Sequence, residues 1–268
     1  RLWGPTVALI AAASSQFSPF LCFYAAEARN YSLWFLLITT SVLLALRWID
    51  AVRARAAGGG WAWAIALALT NALGLWTHLF HIFVLMAEGA MLLALVLTIE
   101  PRGRRGQTLA MLVAAQILTV LLFAPWLLVV LHEARAGTAG VSWTRPFGVE
   151  SLAYYLFAAH FGSSLGPDLR TLHVRRLSDL AAAHPFSLGL AAIAIAVTIA
   201  TYVLLVRDAA RTRARRWELL PLAVWPLFSL AGPIAYGWLR SFPLHPRHLM
   251  VAWPPETVSG QCDATKRK

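Results

Sequence analysis

The chain has 268 residues, 59% of them hydrophobic and 13% charged, with a formal net charge of +11 and a mean hydropathy of +0.64. Soluble domains average about half apolar and a quarter charged residues, so this composition argues against a water-soluble domain. The arginines fall between apolar blocks instead of along one face, which argues against a nucleic-acid binder.

In chain order, the first block is weak. A membrane span needs roughly 20 predominantly apolar residues, and residues 2–17 are interrupted by Pro5, Ser14, Ser15 and Gln16. Position 1 is Arg and no signal peptide precedes it, so the chain is expected to be a piece whose upstream part is missing. Then comes "SPFLCFYAAEARNYSLW", where Glu27 and Arg29 sit two residues apart, flanked by Tyr24 and Tyr31. One reading is a wet turn beside the membrane with tyrosines at headgroup level. The other is that Arg29 grips a phosphate, since a guanidinium fork matches phosphate oxygens. Cys22 lies here and Cys262 near the other end; they neither require nor forbid a disulfide.

Spans are expected at 31–49, 61–79, 81–99, 109–131, 187–206 and 218–239, about seven in all with the weak first block. The apolar run from Trp61 to Ile99 would be about 58 Å long as one helix, too long for a bilayer. It is expected to fold back at Thr77, His78 and His81. Those two histidines are read as lining a cavity, binding a metal, or simply ending helices. Glu88 falls about 10 Å inside its span by helical rise. An acid at that depth usually faces a cavity or a partner; being protonated and hydrogen-bonded between helices is the other reading.

Segment 132–186 is too long for a simple connector. Within it, 149–162, "VESLAYYLFAAHFG", suits an interfacial or re-entrant helix. After the last span, "HPRHLMVAWPP" holds His245, Arg247 and His248, and "ETVSGQCDATKRK" then turns abruptly polar, as truncation or a frame change would produce. Four parts follow: 1–131, 132–186, 187–239 and 240–268.

Turns 47–60, 100–108 and 207–217 hold eleven arginines, whereas the short turns on the other side hold only Arg29, Arg240 and Arg247. Arginine excess marks the cytoplasmic side, so Glu27, Arg29 and all eight histidines are expected outside. Trp34, Trp48, Trp61, Trp76, Trp126, Trp217 and Trp238 sit near expected span ends, as an interfacial belt would. The fold class is therefore an all-α, multispanning integral-membrane bundle with an outer interfacial helical segment.

The stretch "SPFLCFYAAEARNYSLWFLL" resembles the second outer turn of bacterial GT-C glycosyltransferases of the protein-O-mannosyltransferase-like superfamily. "ALGLWTHLFHIFVLMAEGAMLL", "APWLLVVL" and "HPRHLMVAWPP" resemble later motifs of that family, in family order over about residues 1 to 255. The resemblance implies a GT-C-like fold and transfer of a sugar from a polyprenyl-phosphate donor to a cell-envelope acceptor. It places the protein in the bacterial cytoplasmic membrane with its active face outward, among membrane lipids, and with no nucleic-acid partner.

Sugar transfer leaves a lipid phosphate with extra negative charge, which preorganised cations stabilise. Arg29 and Arg247 are the candidates for donor binding, with Tyr24 and Tyr31 beside them; snorkelling at the membrane surface is the plainer role for each arginine. Glu27, His78, His81 and His248 are site-lining candidates, and His245 is a weaker companion. The sequence assigns no cofactor; a divalent metal stays open, since members of the resembling family differ in metal use. The family's carboxylate base lies in an outer loop upstream of this chain's first residue, so no catalytic residue is assigned. A permease or lipid transporter is the alternative, and an inactive membrane remnant a third reading.

Overall fold

The computed structural model describes residues 30–54, 59–135, 177–211, 224–225 and 227–239, with isolated positions 6, 9, 13 and 22. Among them the chain is helical, without strands. The helices are α1 (Tyr31–Arg53), α2 (Gly59–Thr77), α3 (His81–Ile99), α4 (Arg102–Arg135), α5 (Leu177–Ala183), α6 (Pro185–Arg211) and α7 (Gly232–Leu239). A single π-helical turn, Leu227–Ala231, precedes α7. Four helices are long and apolar enough to cross a membrane, over Tyr31–Arg53, His81–Thr98, Arg102–His132 and Pro185–Leu204. The expected first block 2–17, the interfacial stretch 149–162 and the tail from 240 lie outside the described residues.

The core is built on α1 to α4, with α1 packed along α2 and α2 along α4. In α1 the buried positions Trp34, Ile38, Ser41, Val42, Ala45, Trp48 and Ile49 recur at helical spacing and form one stripe. In α2 the stripe is small: Gly60, Ala64, Ala68 and Ala72, each four residues on, are all buried. Small residues at this spacing let helix backbones approach closely inside a bilayer, where apolar burial cannot drive helix pairing. The close approach is visible where the Thr119 hydroxyl of α4 reaches the Ala68 carbonyl at 3.3 Å while also bonding Ala115 at 2.9 Å.

The α2–α3 turn falls where the polar cluster foretold it. His78 N–H donates to the Gly74 carbonyl at 2.8 Å, and His81 N–H to the His78 carbonyl at 2.9 Å. The His78 ring closes the turn by accepting the Phe80 N–H on Nδ1 at 3.2 Å. At the opposite end, Glu100 is extended (ψ 134°), as a residue before proline must be, and Pro101 starts the next chain reversal.

Two expectations need correction. The arginine turn at 100–108 is mostly helix: α4 begins at Arg102 and runs 34 residues, about 51 Å at the helical rise. Arg105 Nε donates to the Glu100 carbonyl at 2.8 Å, so a side chain bridges the short connection that a loop was expected to make. Of the block 218–239, the described residues 227–239 run as the π-turn straight into α7, and residues 218–223 and 226 lie outside the described residues. Pro233, the second residue of α7, lacks the N–H that a regular helix would use, and the π-turn immediately precedes that helix. Finally, Trp34 and Trp48 are buried at 0% and 2% exposure, so they are core residues and not part of a belt. Trp61, Trp76 and Trp126 are exposed, as an interfacial position requires.

Candidate functional site at the hairpin end

The first residues of α1, the last of α2 and the first of α3 meet at one end of the bundle. The Asn30 side-chain amide, just ahead of α1, donates to the Thr77 carbonyl that ends α2. Two residue groups singled out in the sequence, Asn30–Trp34 and Gly74–His81, are thereby joined. The His78 ring stacks on Trp34 with centroids 4.0 Å apart and planes 13° from parallel. Tyr31, itself buried, lies 6.0 Å from the same imidazole. Phe80 continues the cluster to Phe83 and to Tyr236 of α7, at 5.5 and 6.2 Å between centroids.

Below this aromatic layer runs a line of buried polar side chains. Trp34 Nε1 donates to His81 Nδ1 at 3.3 Å, His81 Nε2 meets Asn71 Oδ1 at 2.9 Å, and Asn71 Nδ2 donates to Glu88 Oε2 at 2.8 Å. All four residues are at most 1% exposed. An indole can only donate, so His81 Nδ1 carries no proton and Nε2–H is the donor to Asn71. The bonds therefore run one way, from Trp34 to Glu88. Ser41 of α1 adjoins Glu88, but its hydroxyl proton points to the Ile38 carbonyl at 2.8 Å. Glu88 Oε1 is left with no hydrogen-bond partner among the described residues.

Gly74 makes the arrangement possible. A Cβ there would lie 2.4 Å from the His81 ring, inside any real contact distance. Gly232 serves α7 similarly, since a Cβ would come 2.6 Å from the Phe83 ring.

Of the expected site residues, Tyr31, His78 and His81 are described; Tyr24, Glu27, Arg29, Arg247 and His248 lie outside the described residues. His78 is half-buried at the turn. His81 is fully buried at the start of α3, and both ring nitrogens are engaged in hydrogen bonds. Among the described residues no three His, Cys, Asp or Glu side chains cluster as metal ligands would. Asn71 was missed, although the sequence held a signal. It lies six residues before Thr77 and Glu88 seven after His81, so a reversal at 77–81 puts amide and carboxylate at equal depth.

The chain matches no protein-family model, no curated protein and no solved structure.

Proposed function

We propose that the protein is a membrane glycosyltransferase component that binds a polyprenyl-phosphate sugar at the hairpin end of a GT-C-like bundle. The proposal includes about seven spans in a bacterial cytoplasmic membrane, with the hairpin end outward. The observation that supports it is the junction of two motif segments on which the resemblance rests. Asn30 holds the Thr77 carbonyl and His78 stacks on Trp34, so the segment following Arg29 docks on the Gly-Leu-Trp-Thr-His turn. In this reading Arg29 and Arg247 bind the lipid phosphate, Tyr24 and Tyr31 flank it, and Glu27, His78, His81 and His248 belong to the site and its walls. His81 contributes from within the wall. No residue of this chain is assigned as the base that activates the acceptor.

Binding of a polyprenyl phosphate needs no such base and is the direct test. The chain, reconstituted in lipid nanodiscs, should bind the lipid phosphate. R29A and R247A should each weaken binding about tenfold or more, the scale of a lost charge-assisted hydrogen bond, with membrane insertion unchanged. Unaltered affinity in R29A would remove Arg29 from the site, and no binding by the parent would reject the reading.

A permease is the second reading, and Glu88 is the observation that favours it, because acids at membrane depth often mark transport pathways. Solute uptake by proteoliposomes that E88Q abolishes would support it over the transferase.

A further inference from the structure

At the end of the bundle away from the hairpin, the last turns of α1 and α3 border an open cleft of about 250 Å³, its mouth included. Trp48 and Val52 of α1 and Leu95 and Val96 of α3 give it apolar walls. Arg53 and Glu100 add one charge of each sign. The volume is below that of a drug-sized ligand's pocket, so it takes a lipid headgroup while the acyl chains stay in the bilayer. The level suits a headgroup too. Arg53 is the last residue of α1, and Glu100 lies two residues beyond the apolar span His81–Thr98. Both therefore stand where hydrocarbon gives way to the polar interface.

Glu100 decides which headgroup. Its main chain is engaged, the N–H with the Val96 carbonyl and the C=O with Arg105 Nε. Its side chain is only 9% exposed, yet the carboxyl group has no hydrogen-bond or ion-pair partner among the described residues. The polar side-chain atoms there that are sealed off without a partner are Trp48 Nε1 and Glu88 Oε1. The Glu100 carboxyl oxygens are not sealed, so a group entering the cleft reaches them. A mostly buried carboxyl left unmet is costly, and this one calls for a donor from outside the chain. Arg53 has five guanidinium N–H groups, enough to serve a phosphate beside any other bond it makes.

Arginines at a span end would by themselves suit any anionic lipid. Glu100 changes the selection, because it repels a second negative charge and needs an N–H or O–H to accept. An ethanolamine headgroup answers both charges: its phosphate accepts, and its primary ammonium donates as a lysine ammonium does. A choline headgroup carries the same charges without an N–H. We propose that this cleft binds the headgroup of an ethanolamine phospholipid, its ammonium donating to Glu100 and its phosphate accepting from Arg53. The site is at the opposite end from the hairpin and is independent of the lipid-phosphate reading above; it needs only that the bundle sits in a membrane.

The test titrates the full chain in detergent with phospholipids of identical acyl chains and counts bound lipid by native mass spectrometry. The parent should bind the ethanolamine lipid about tenfold more tightly than the choline lipid, the scale of a lost charge-assisted hydrogen bond. The N-methyl and N,N-dimethyl lipids should fall between them as N–H groups are removed. E100Q should bring ethanolamine and choline lipids within about twofold of each other, and R53A should weaken both. The headgroup series uses the parent alone, so it decides the matter even if E100Q fails to fold. Equal affinity of the parent for ethanolamine and choline lipids would overturn the proposal. A preference for phosphatidylglycerol over the ethanolamine lipid would do the same, since the cleft would then read anionic charge alone. So would an ethanolamine preference that survives E100Q, because the ammonium would be held elsewhere. Polyprenyl phosphate does not enter the titration, so failure here leaves the donor reading standing.

Discussion

Trp34 and Trp48 occupy equivalent-looking positions, both buried on the inner stripe of α1, yet their indole N–H groups differ. Trp34 donates to His81, whereas Trp48 Nε1 has no hydrogen-bond partner among the described residues. Replacing tryptophan by phenylalanine removes that N–H in both. At position 34 it also strands the His81 Nδ1 lone pair; at 48 it relieves an unsatisfied donor. Thermal unfolding in detergent should therefore show W34F less stable than W48F by about 1–3 kcal/mol, the penalty of an orphaned buried polar group. Equal losses would mean that the long Trp34–His81 contact contributes nothing. Asn71 sits deeper in the same line. N71L should cost more than either, because it strands His81 Nε2–H and a Glu88 carboxyl oxygen together.

Between helices, the small stripe of α2 sets the distance to α4. Ala68 is 1% exposed and its carbonyl receives the Thr119 hydroxyl, so A68L would force the two backbones apart. We expect it to destabilise the bundle by about 1–3 kcal/mol, as overpacking does. A62L, on the exposed side of the same helix, should leave the melting temperature nearly unchanged. G232A tests the α3–α7 contact in the same way, by driving a methyl group against Phe83. It should loosen the Phe83–Tyr236 pair, now at 6.5 Å between centroids, and quench or shift any tyrosine signal from Tyr236. These elements were partly legible. The spans 81–99 and 31–49 were found because their apolar runs are long and uninterrupted, and the turn at 77–81 because two histidines break such a run. The extension of α4 through Arg102–Arg105 was not legible, since arginines read as a turn although they are good helix formers.

For the molecule in its membrane, the proposed orientation puts Leu79 and Gly103 on opposite sides. Both are exposed; Leu79 lies in the turn before α3, and Gly103 in the first turn of α4, just beyond the other end of α3. In a background with Cys22 and Cys262 replaced by alanine, L79C should react with an impermeant thiol reagent in intact cells. G103C should react only after permeabilisation. The reverse result would put the hairpin end in the cytoplasm and remove the lipid-phosphate site from the outer leaflet.

The order of apolar blocks determined the helical class, the reversal between α2 and α3, and the depth of Glu88, because span length and rise per residue depend only on the chain itself. Only the tertiary structure decided which side chains meet. A helix in lipid is apolar on its outer face as well as its inner one, so hydrophobic periodicity does not reveal which face turns inward. Trp34 therefore reads as a belt residue until α1 is seen packed on α2, and the readings of His81 stay open until Gly74 is seen making room for its ring. The direction of the bonds from Trp34 to Glu88 likewise depends on three helices fixing one another's rotation, which no single segment encodes.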